Sequence, residues 1–299
     1  MTSSRDFATR LAERRARQAD QAQRVLASHG EFRFGSDCLR GGLPRIAIHT
    51  EYGPTGQSKD ENQDFVVAWR AADRRCPLQW MVAVADGVTS SFRAEWGAEA
   101  ACWKSTEALL VHADLSPRAQ ATRAMQSAAD SLFDLAKLFH EHFEESRPAG
   151  DHVATWRFTL DEGLLLQTTL VLAWGVRDRA FLAAVGDGGA MHVQGGRLQR
   201  LMTSDVTTSL VTCLGPANPF GGFDVWHDRR FGTDDALAVF TDGIDRGLSS
   251  ERNFIGRSLQ QPPSDRGNPS EDWVKELLTA SPAHHQDNLT LAVVDNRRG

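Results

Sequence analysis

The sequence predicts an α+β fold in which antiparallel strands form two packed sheets and the helices lie outside them. Strand-like segments follow one another at hairpin-length spacing through most of the second half of the chain. Two long helical segments are neighbours in the sequence, and this segregation of strands from helices is typical of α+β folds. The apolar runs at 81–85 and 289–294 are continuous, which indicates strands buried on both faces.

The first half contains three predicted strands followed by two predicted helices. The strands are RIAIHTEYG, QDFVVAWRA and LQWMVAVAD. The first helix, over residues 90–115, begins with serine caps. The second has Ser116 as its N-cap and Pro117 at its first position, an arrangement that is common where helices begin.

The second half is predicted to be almost entirely strand. The segments QTTLVLAWGV, AFLAAVGD, AMHVQ and RLQRL are separated by the short connections RDR, GDGG and GG. These connections have hairpin length, so they predict antiparallel neighbours. GFDVWHDRRF, ALAVFTD and NLTLAVVD are three further strands, and a helix that starts at Asn268 and Pro269 separates the last two.

The N-terminal part differs in composition from the rest of the chain. Residues 5–28 predict a polar helix rich in Arg and Ala, with a narrow apolar line at Phe7, Leu11 and Val25. Such a helix is either a solvated arm or an element that docks on the main domain or on a partner. GGLPR at 41–45 resembles a linker, so the predicted organisation is an extension over residues 1–42 and one domain over 43–299.

The bulk properties exclude several classes of protein. A net charge of -6 argues against a general nucleic-acid binder, which needs a basic surface. The 4 cysteines show no C-x-x-C spacing, which is typical of free thiols in a reducing compartment. No apolar run is long enough to span a membrane, and the N-terminus lacks the apolar core of a signal peptide. We therefore expect a cytoplasmic protein with no nucleic-acid or membrane partner.

Five aspartates occupy related positions at the ends of predicted strands. A single Asp-Gly pair most simply indicates a turn. Asp86 and Asp242, however, each end an apolar strand, Asp64 begins one, Asp287 precedes one, and Asp187 lies in a predicted hairpin turn. If two sheets pack together, these strand ends can meet at one edge, where the carboxylates repel unless cations neutralise them.

The kind of ligand predicts the kind of cation. Oxygen ligands without His or Cys favour hard cations such as Mg²⁺ or Mn²⁺. Gly87 follows Asp86, and its missing Cβ leaves room for its backbone carbonyl to approach the same ion. The set of strand-end aspartates therefore predicts a metal centre, although each Asp-Gly pair alone predicts only a turn.

Six segments in order resemble the metal-dependent protein phosphatases of the protein phosphatase 2C family, in particular its bacterial members. The segments are KDENQD, VAVADGVTSS, QTTLVLAWGV, AAVGDGGAM, VFTDGIDRGL and QDNLTLAVV, and the resemblance covers roughly residues 46–295. It implies a four-layer α/β/β/α sandwich, with two packed antiparallel sheets flanked by helix pairs. It also implies a serine/threonine phosphatase that uses two cations, Mg²⁺ or Mn²⁺, to activate the attacking water.

The resemblance implies a role for each matching residue in metal binding. Asp86 matches the carboxylate that bridges the two cations, and the carbonyl of Gly87 meets the second of them. Asp242 and Asp287 match the other ligands of the first cation. Asp187 matches a ligand of a weaker third site.

The remaining matches concern catalysis and support of the site. Asp64 matches an acid that acts through metal-bound water, and Lys59 stands where many members bind phosphate with Arg. Asp86, Asp64 and Lys59 are thus the expected catalytic residues. Thr168 and Thr169 match a threonine pair on a strand across the sandwich, with an expected structural role.

Three departures from the family pattern leave alternatives open. Gln63 replaces a Glu, Lys59 replaces the phosphate-binding Arg, and Val88 stands where some eukaryotic members have a His. A lysine can still bind phosphate, but as a point charge rather than a bidentate fork. The alternatives are a non-catalytic phosphatase-like binding or regulatory module, and a hydrolase of another phosphoester.

The resemblance also implies a phosphorylated protein as substrate, opposite in action to a serine/threonine kinase, and a monomeric enzyme. Residues 204–222 lie where family members have a variable flap beside the site, so substrate choice is expected to depend on that segment.

Overall fold

The computed structural model describes residues 4–40, 44–52, 62–73, 75–145, 165–202, 212–217, 220–245, 259–260 and 288–297. In these residues the chain forms two six-stranded sheets in which every pairing of neighbouring strands is antiparallel. Sheet A contains, in spatial order, β1 (Gly30–Phe34), β4 (Asp64–Ala71), β5 (Leu78–Asp86), β6 (Leu170–Val176), β7 (Arg179–Val185) and β10 (Val225–Arg230). Sheet B contains β2 (Asp37–Leu39), β3 (Arg45–Glu51), β12 (Leu289–Asp295), β11 (Ala236–Phe240), β8 (Gly189–Gln194) and β9 (Arg197–Met202).

Three long helices cover sheet A, and they are α1 (Ser4–His29), α2 (Ala94–Val111) and α3 (Pro117–Glu145). A short helix, α4 (Asp242–Asp245), follows β11 and packs its Ile244 against the outer face of sheet B. The predicted α+β sandwich with helices outside two antiparallel sheets is confirmed. The helix predicted at Asn268 lies outside the described residues, as does most of the flap predicted at 204–222.

Alternate residues of each central strand enter different cores, which explains the continuous apolar runs. Val82 and Val84 of β5 lie in the core between the two sheets, whereas Met81 and Ala83 lie in the core beneath the helices. Because strand side chains alternate between faces, a strand covered on both sides must be apolar at every position. The prediction of strands buried on both faces is confirmed.

The connection between β7 and β8 differs from the prediction. RDR and GG are hairpin connections, as predicted, and they join β6 to β7 and β8 to β9. GDGG, in contrast, carries the chain from sheet A to sheet B, so Asp187 lies in a crossover rather than a hairpin turn. A Cβ on Gly189 would stand 1.8 Å from the Phe240 ring, which shows how closely this crossover passes β11.

The N-terminal helix docks on the domain, and the alternative of a solvated arm is wrong. Leu11, Ala22 and Leu26 of α1 are buried in the core beneath the helices. The Trp69 Nε1–H of β4 donates to the Leu26 carbonyl oxygen at 2.9 Å, which ties the end of α1 to sheet A. Arg14 pairs with Asp134 of α3 at 3.2 Å.

Residues 30–39 also differ from the prediction, which has no strand between the helix and the linker. β1 pairs with β4 in sheet A, and β2 pairs with β3 in sheet B. The chain after α1 thus adds an edge strand to each sheet. These strands are only 5 and 3 residues long and lack the continuous apolar runs from which the central strands are predicted. None of the helices in the described part of the chain is long and apolar enough to cross a membrane.

The packing of α1 predicts a large effect at Leu26, whose side chain is fully buried. Leu26→Ala should lower the free energy of unfolding by about 2–5 kcal/mol, the usual result of removing a buried leucine side chain. Arg24→Ala, at an exposed position of the same helix, should change it by less than about 0.5 kcal/mol. Urea unfolding followed by circular dichroism measures both, and equal effects would contradict the docking of α1.

Candidate metal centre

Two of the predicted aspartates face each other at one end of sheet A. Asp64 begins β4 and Asp86 ends β5, and the two residues are direct partners in the register of these strands. Their side chains share the inner face of the sheet, because Val66 and Val84, two positions along, lie in the core between the sheets. Like charges directly opposite each other across two strands are destabilising, so this pair favours a cation between them.

Sheet B reaches the same place through the residue that follows β11. The Thr241 hydroxyl donates to Asp64 Oδ2 at 2.9 Å, which joins the end of β11 to the start of β4. Asp242 is next in the chain and is only 2% exposed. The structure therefore brings Asp64, Asp86 and Asp242 to one end of the sandwich.

A network of hydroxyl and amide groups lies beneath Asp64. Thr241 Oγ1 accepts from the Thr290 backbone N–H at 3.1 Å, and Thr290 Oγ1 donates to Thr50 Oγ1 at 2.8 Å. Asn62 donates its side-chain N–H to Thr50 Oγ1 at 2.8 Å and accepts from the Asp64 backbone N–H at 3.0 Å. Connected polar groups of this kind fix each other's orientation, and this network joins the ends of β3, β4, β11 and β12.

Sequence reasoning missed this network. The only signal available is that Thr50, Thr241 and Thr290 each interrupt or end an apolar strand run on its inner face. Hydroxyl groups at such positions indicate the edge of a core, but the sequence does not reveal that they contact one another.

The main chain of Asp86 is held by the two predicted threonines. Thr168 Oγ1 donates to the Asp86 carbonyl oxygen at 2.9 Å, and the Asp86 N–H donates to Thr169 Oγ1 at 3.1 Å. The Thr169 backbone N–H also donates to the Asp86 carbonyl oxygen at 2.8 Å. The pair therefore lies beside Asp86, leading into β6 of the same sheet, and the predicted position across the sandwich is wrong.

Gly87 is required for a reason that the sequence does not show. A Cβ at this position would lie 2.7 Å from both the backbone C and O atoms of Ala94, the first residue of α2. The serines predicted to cap α2 do not cap it: its N-cap is Arg93, which makes no side-chain cap. Ser91 Oγ instead accepts the Gln167 N–H at 2.8 Å, which ties the segment after Asp86 to the segment before β6.

Asp187 lies at the same end of the sandwich, on the crossover from β7 to β8. The preceding Gly186 has a left-handed backbone (φ 87°), and its N–H donates to Asp224 Oδ2 at 2.7 Å. Thr212 donates to the same carboxylate oxygen. Asp224 thus fixes the turn that presents Asp187, and sequence reasoning missed it because it lies outside every Asp-Gly pair.

Gln63 immediately precedes Asp64 in the chain and has a buried side-chain oxygen. Its backbone oxygen accepts from the Gly87 N–H at 3.0 Å, so it borders the segment after Asp86. Its side-chain Oε1 is buried and has no hydrogen-bond partner among the residues that the structure describes. A buried oxygen without a partner costs about 1–3 kcal/mol, and a bound cation would satisfy it.

The Cys102 thiol is fully buried on α2 and approaches the Phe65 carbonyl oxygen at 3.5 Å. Burial raises its pKa well above the usual value, helped by the negative charges of Asp64 and Glu99. Buried thiols of this kind are inert, so we assign Cys102 to the apolar core.

Two predicted residues, Lys59 and Asp287, lie outside the described part of the chain. Within that part, no three side chains of His, Cys, Asp or Glu converge closely enough to hold a metal ion by themselves. The described donors are nevertheless all oxygens, with opposed carboxylates and a buried amide oxygen, and this set fits a hard cation.

Comparison with known proteins agrees with this arrangement. The family model described as protein phosphatase 2C matches residues 56–279. A search of curated proteins finds no match. Among solved structures, the fold is similar to the catalytic domain of the serine threonine protein phosphatase PstP in complex with two manganese ions, with 20% identity, a TM-score of 0.56 and coverage of 85% of this chain and 98% of that one.

Two further solved structures are also similar in fold to this chain. PstP/Ppp of Mycobacterium tuberculosis is 19% identical with a TM-score of 0.58, and the match covers 86% of this chain and all of that one. Stp1 from Staphylococcus aureus is 17% identical with a TM-score of 0.56, and the match covers 85% of this chain and 96% of that one. At these identities the three structures establish the fold.

Gly87 provides a stability test of the site. Gly87→Ala should lower the free energy of unfolding by about 1–3 kcal/mol, because the new methyl group overlaps backbone atoms of Ala94 that cannot rotate away. Gly232→Ala is the matched control, since its Cβ meets only Asp235 Oδ2 at 3.8 Å. If both variants unfold at the same urea concentration, the close contact is disproved.

The Thr241 hydroxyl provides a second test. Thr241→Val keeps the shape of the side chain but removes the donor to Asp64 and the acceptor for Thr290 N–H. Loss of these buried contacts should lower the free energy of unfolding by about 1–3 kcal/mol. Thr122→Val, on the exposed side of α3, should change it by less than about 0.5 kcal/mol. A loss at Thr241 no larger than at Thr122 would argue against the network.

Proposed function

The chain belongs to the protein phosphatase 2C family, and we propose that it hydrolyses phosphoserine and phosphothreonine in proteins with the help of two divalent cations, Mg²⁺ or Mn²⁺. The observation that carries this proposal is the direct pairing of Asp64 with Asp86 in sheet A, at the point where the Thr241 hydroxyl ties the end of β11 in sheet B to Asp64. Strand ends of a rigid sandwich can hold carboxylates in fixed positions, and fixed oxygen ligands suit hard cations.

Each carboxylate has a proposed role. Asp86 would bridge the two cations, with the Gly87 carbonyl on the second. Asp242 and Asp287 would complete the first, and Asp64 would act through bound water. The direct pairing of Asp64 with Asp86 supports this assignment, because a cation between them removes their repulsion.

Asp187 would contribute to a third, weaker cation site. Its support is its position on the crossover at the same end of the sandwich, where Asp224 fixes the preceding turn. A ligand on a connection between strands is held less firmly than one at a strand end, which agrees with a weaker site.

The cations would lower the pKa of the attacking water and neutralise charge on the phosphoryl oxygens. The residues of this chain hold and orient that centre. Thr168 and Thr169 fix the main chain of Asp86 with three hydrogen bonds, so its carboxylate starts from a defined position. Lys59 would bind the substrate phosphate as a point charge.

The replacement of Glu by Gln63 is compatible with this function. Gln offers a neutral carbonyl oxygen, which hard cations accept as a ligand. The buried Oε1 of Gln63, which has no partner among the described residues, is available for that purpose. The replacement of Glu by Gln63 removes a negative charge but keeps an oxygen atom that can bind a cation.

Membership of a protein phosphatase family implies phosphoprotein substrates. We further propose that the enzyme acts as a monomer in the cytoplasm and opposes a serine/threonine kinase there. None of the four cysteines, all of which lie in the described part of the chain, forms a disulfide, and this agrees with a reducing compartment.

Asp86 provides the test of this function. Asp86→Asn should lower Mn²⁺-dependent hydrolysis of p-nitrophenyl phosphate and of a phosphothreonine peptide by roughly 10²–10³-fold, a typical effect of removing one preorganised electrostatic group. Calorimetric titration of the metal-free protein should show weaker Mn²⁺ binding, because the bridging charge is lost.

The control is Asp178→Asn, which removes an exposed carboxylate from the β6–β7 hairpin at the opposite end of sheet A and should retain full activity. Near wild-type turnover by Asp86→Asn would refute the assignment. Mn²⁺ binding by the wild-type protein without turnover of either substrate would instead favour the non-catalytic module.

A further inference from the structure

The helix α1 lies entirely before residue 56, where the match to the family model begins, yet it contacts the first turn of α2, which packs against Gly87. The contacts that link α1 to this segment pass through the first turn of α2. They involve an aromatic ring, two guanidinium groups and two glycines.

The first turn of α2 packs against the site without free space. A Cβ on Gly87 would lie 2.7 Å from the Ala94 backbone, and a Cβ on Gly97 would lie 2.3 Å from the Leu166 carbonyl oxygen. Both distances are shorter than real contacts of a Cβ atom. A displacement of this turn must therefore move Gly87, or the segment that carries Thr168 and Thr169, or both.

The residue that begins α2 has an unfavourable backbone. Arg93 is left-handed, with φ 56° and ψ 40°, and it makes no side-chain cap. This conformation is disfavoured for residues other than glycine, so the surroundings must stabilise it. The Arg93 guanidinium lies over the Trp96 ring at 4.5 Å from its centroid, and Nη1 approaches Glu95 at 3.4 Å.

The same tryptophan receives a guanidinium from α1. The Arg15 guanidinium lies 4.4 Å from the Trp96 ring centroid, and its Nη2 pairs with Glu99 of α2 at 2.6 Å. Guanidinium groups are attracted to the face of an indole ring. The Trp96 ring is thus contacted by two guanidinium groups, that of Arg15 on α1 and that of Arg93 at the start of α2.

A second line of contacts runs through Phe139 of α3, which is almost fully buried. Its ring centroid lies 5.4 Å from that of Phe7 on α1, 5.9 Å from that of Phe92 and 6.0 Å from that of Trp96. Aromatic rings at these separations attract each other, in addition to the apolar area that they bury. The start of α1 is therefore linked to the same turn through Phe139 as well.

We infer that α1 is a positioning element of the proposed metal centre, and that Arg15 acts through Trp96 to fix the turn of Arg93 and, with it, Gly87. This inference rests on the proposed function, since it concerns the same site. Arg15 and Trp96 are positioning residues, because neither is placed among the metal ligands.

Mn²⁺ binding to the metal-free, full-length protein tests the inference by calorimetry. Arg15→Ala should weaken Mn²⁺ binding by about threefold to tenfold, the range expected when a partly exposed cation–π contact is lost. Trp96→Phe should act in the same direction, because a phenyl ring attracts guanidinium less than indole does. In the Trp96→Phe background, Arg15→Ala should have a smaller effect, since the two residues share one contact.

Arg14→Ala is the matched control. Arg14 is the neighbouring residue on α1 and forms an ion pair with Asp134 of α3, but no contact with Trp96 is observed in the described residues. Both arginine variants lose one ion pair between α1 and a neighbouring helix, but only Arg15→Ala also loses the contact with Trp96, so only Arg15→Ala should weaken Mn²⁺ binding. Equal Mn²⁺ affinity of the two variants would overturn the inference while leaving the proposed function intact. A wild-type protein that binds no Mn²⁺ would overturn the proposed function and this inference with it.

Discussion

The hydrogen bond from the Thr241 hydroxyl to Asp64 is the contact on which the rest of the site depends. It joins the start of β4 in sheet A to the end of β11 in sheet B, 177 residues further along the chain. Hydrophobic contact between the inner faces of two sheets is not directional, so it does not by itself fix the position of individual polar groups at their ends. The polar contact fixes where their ends meet, and the carboxylates lie at that end.

The same constraint explains why the end of the sandwich is polar. Asp64 and Asp242 are both buried, and a buried carboxylate is tolerated only where hydrogen bonds or cations compensate for its lost hydration. The threonines and Asn62 supply hydrogen bonds on the side of the apolar core. On the side of the solvent, the proposed cations would compensate for the lost hydration of the carboxylates. The same residues would therefore contribute both to folding and to metal binding.

The end of the sandwich that carries the aspartates is also in contact with the helices. Gly87 touches the first residue of α2 so closely that no side chain fits between them, and α2 is in turn covered by α1. The match to the family model covers residues 56–279, and α1 lies before it. This helix buries Leu11, Ala22 and Leu26 and is therefore part of the folded structure, and its contacts reach the first turn of α2.

The sequence by itself determined the kind of elements, the family and the candidate ligands. Short apolar runs rich in β-branched residues predict strands covered on both faces, because successive side chains of a strand point to opposite faces. Asp86 and Asp242 are predictable as strand-end carboxylates for the same local reason. The order of the six motifs then predicts the family, which the comparison confirmed.

Only the tertiary structure decided which elements pair and what each residue touches. GDGG has the length of a hairpin, yet it crosses between sheets, because a local pattern records that a strand is buried and not which strand is its neighbour. The docking of α1, the strands at 30–39, the role of Gly87 against Ala94 and the threonine network all depend on contacts between residues distant in the chain. Such contacts follow from how whole surfaces fit together, and no short stretch of sequence contains that information.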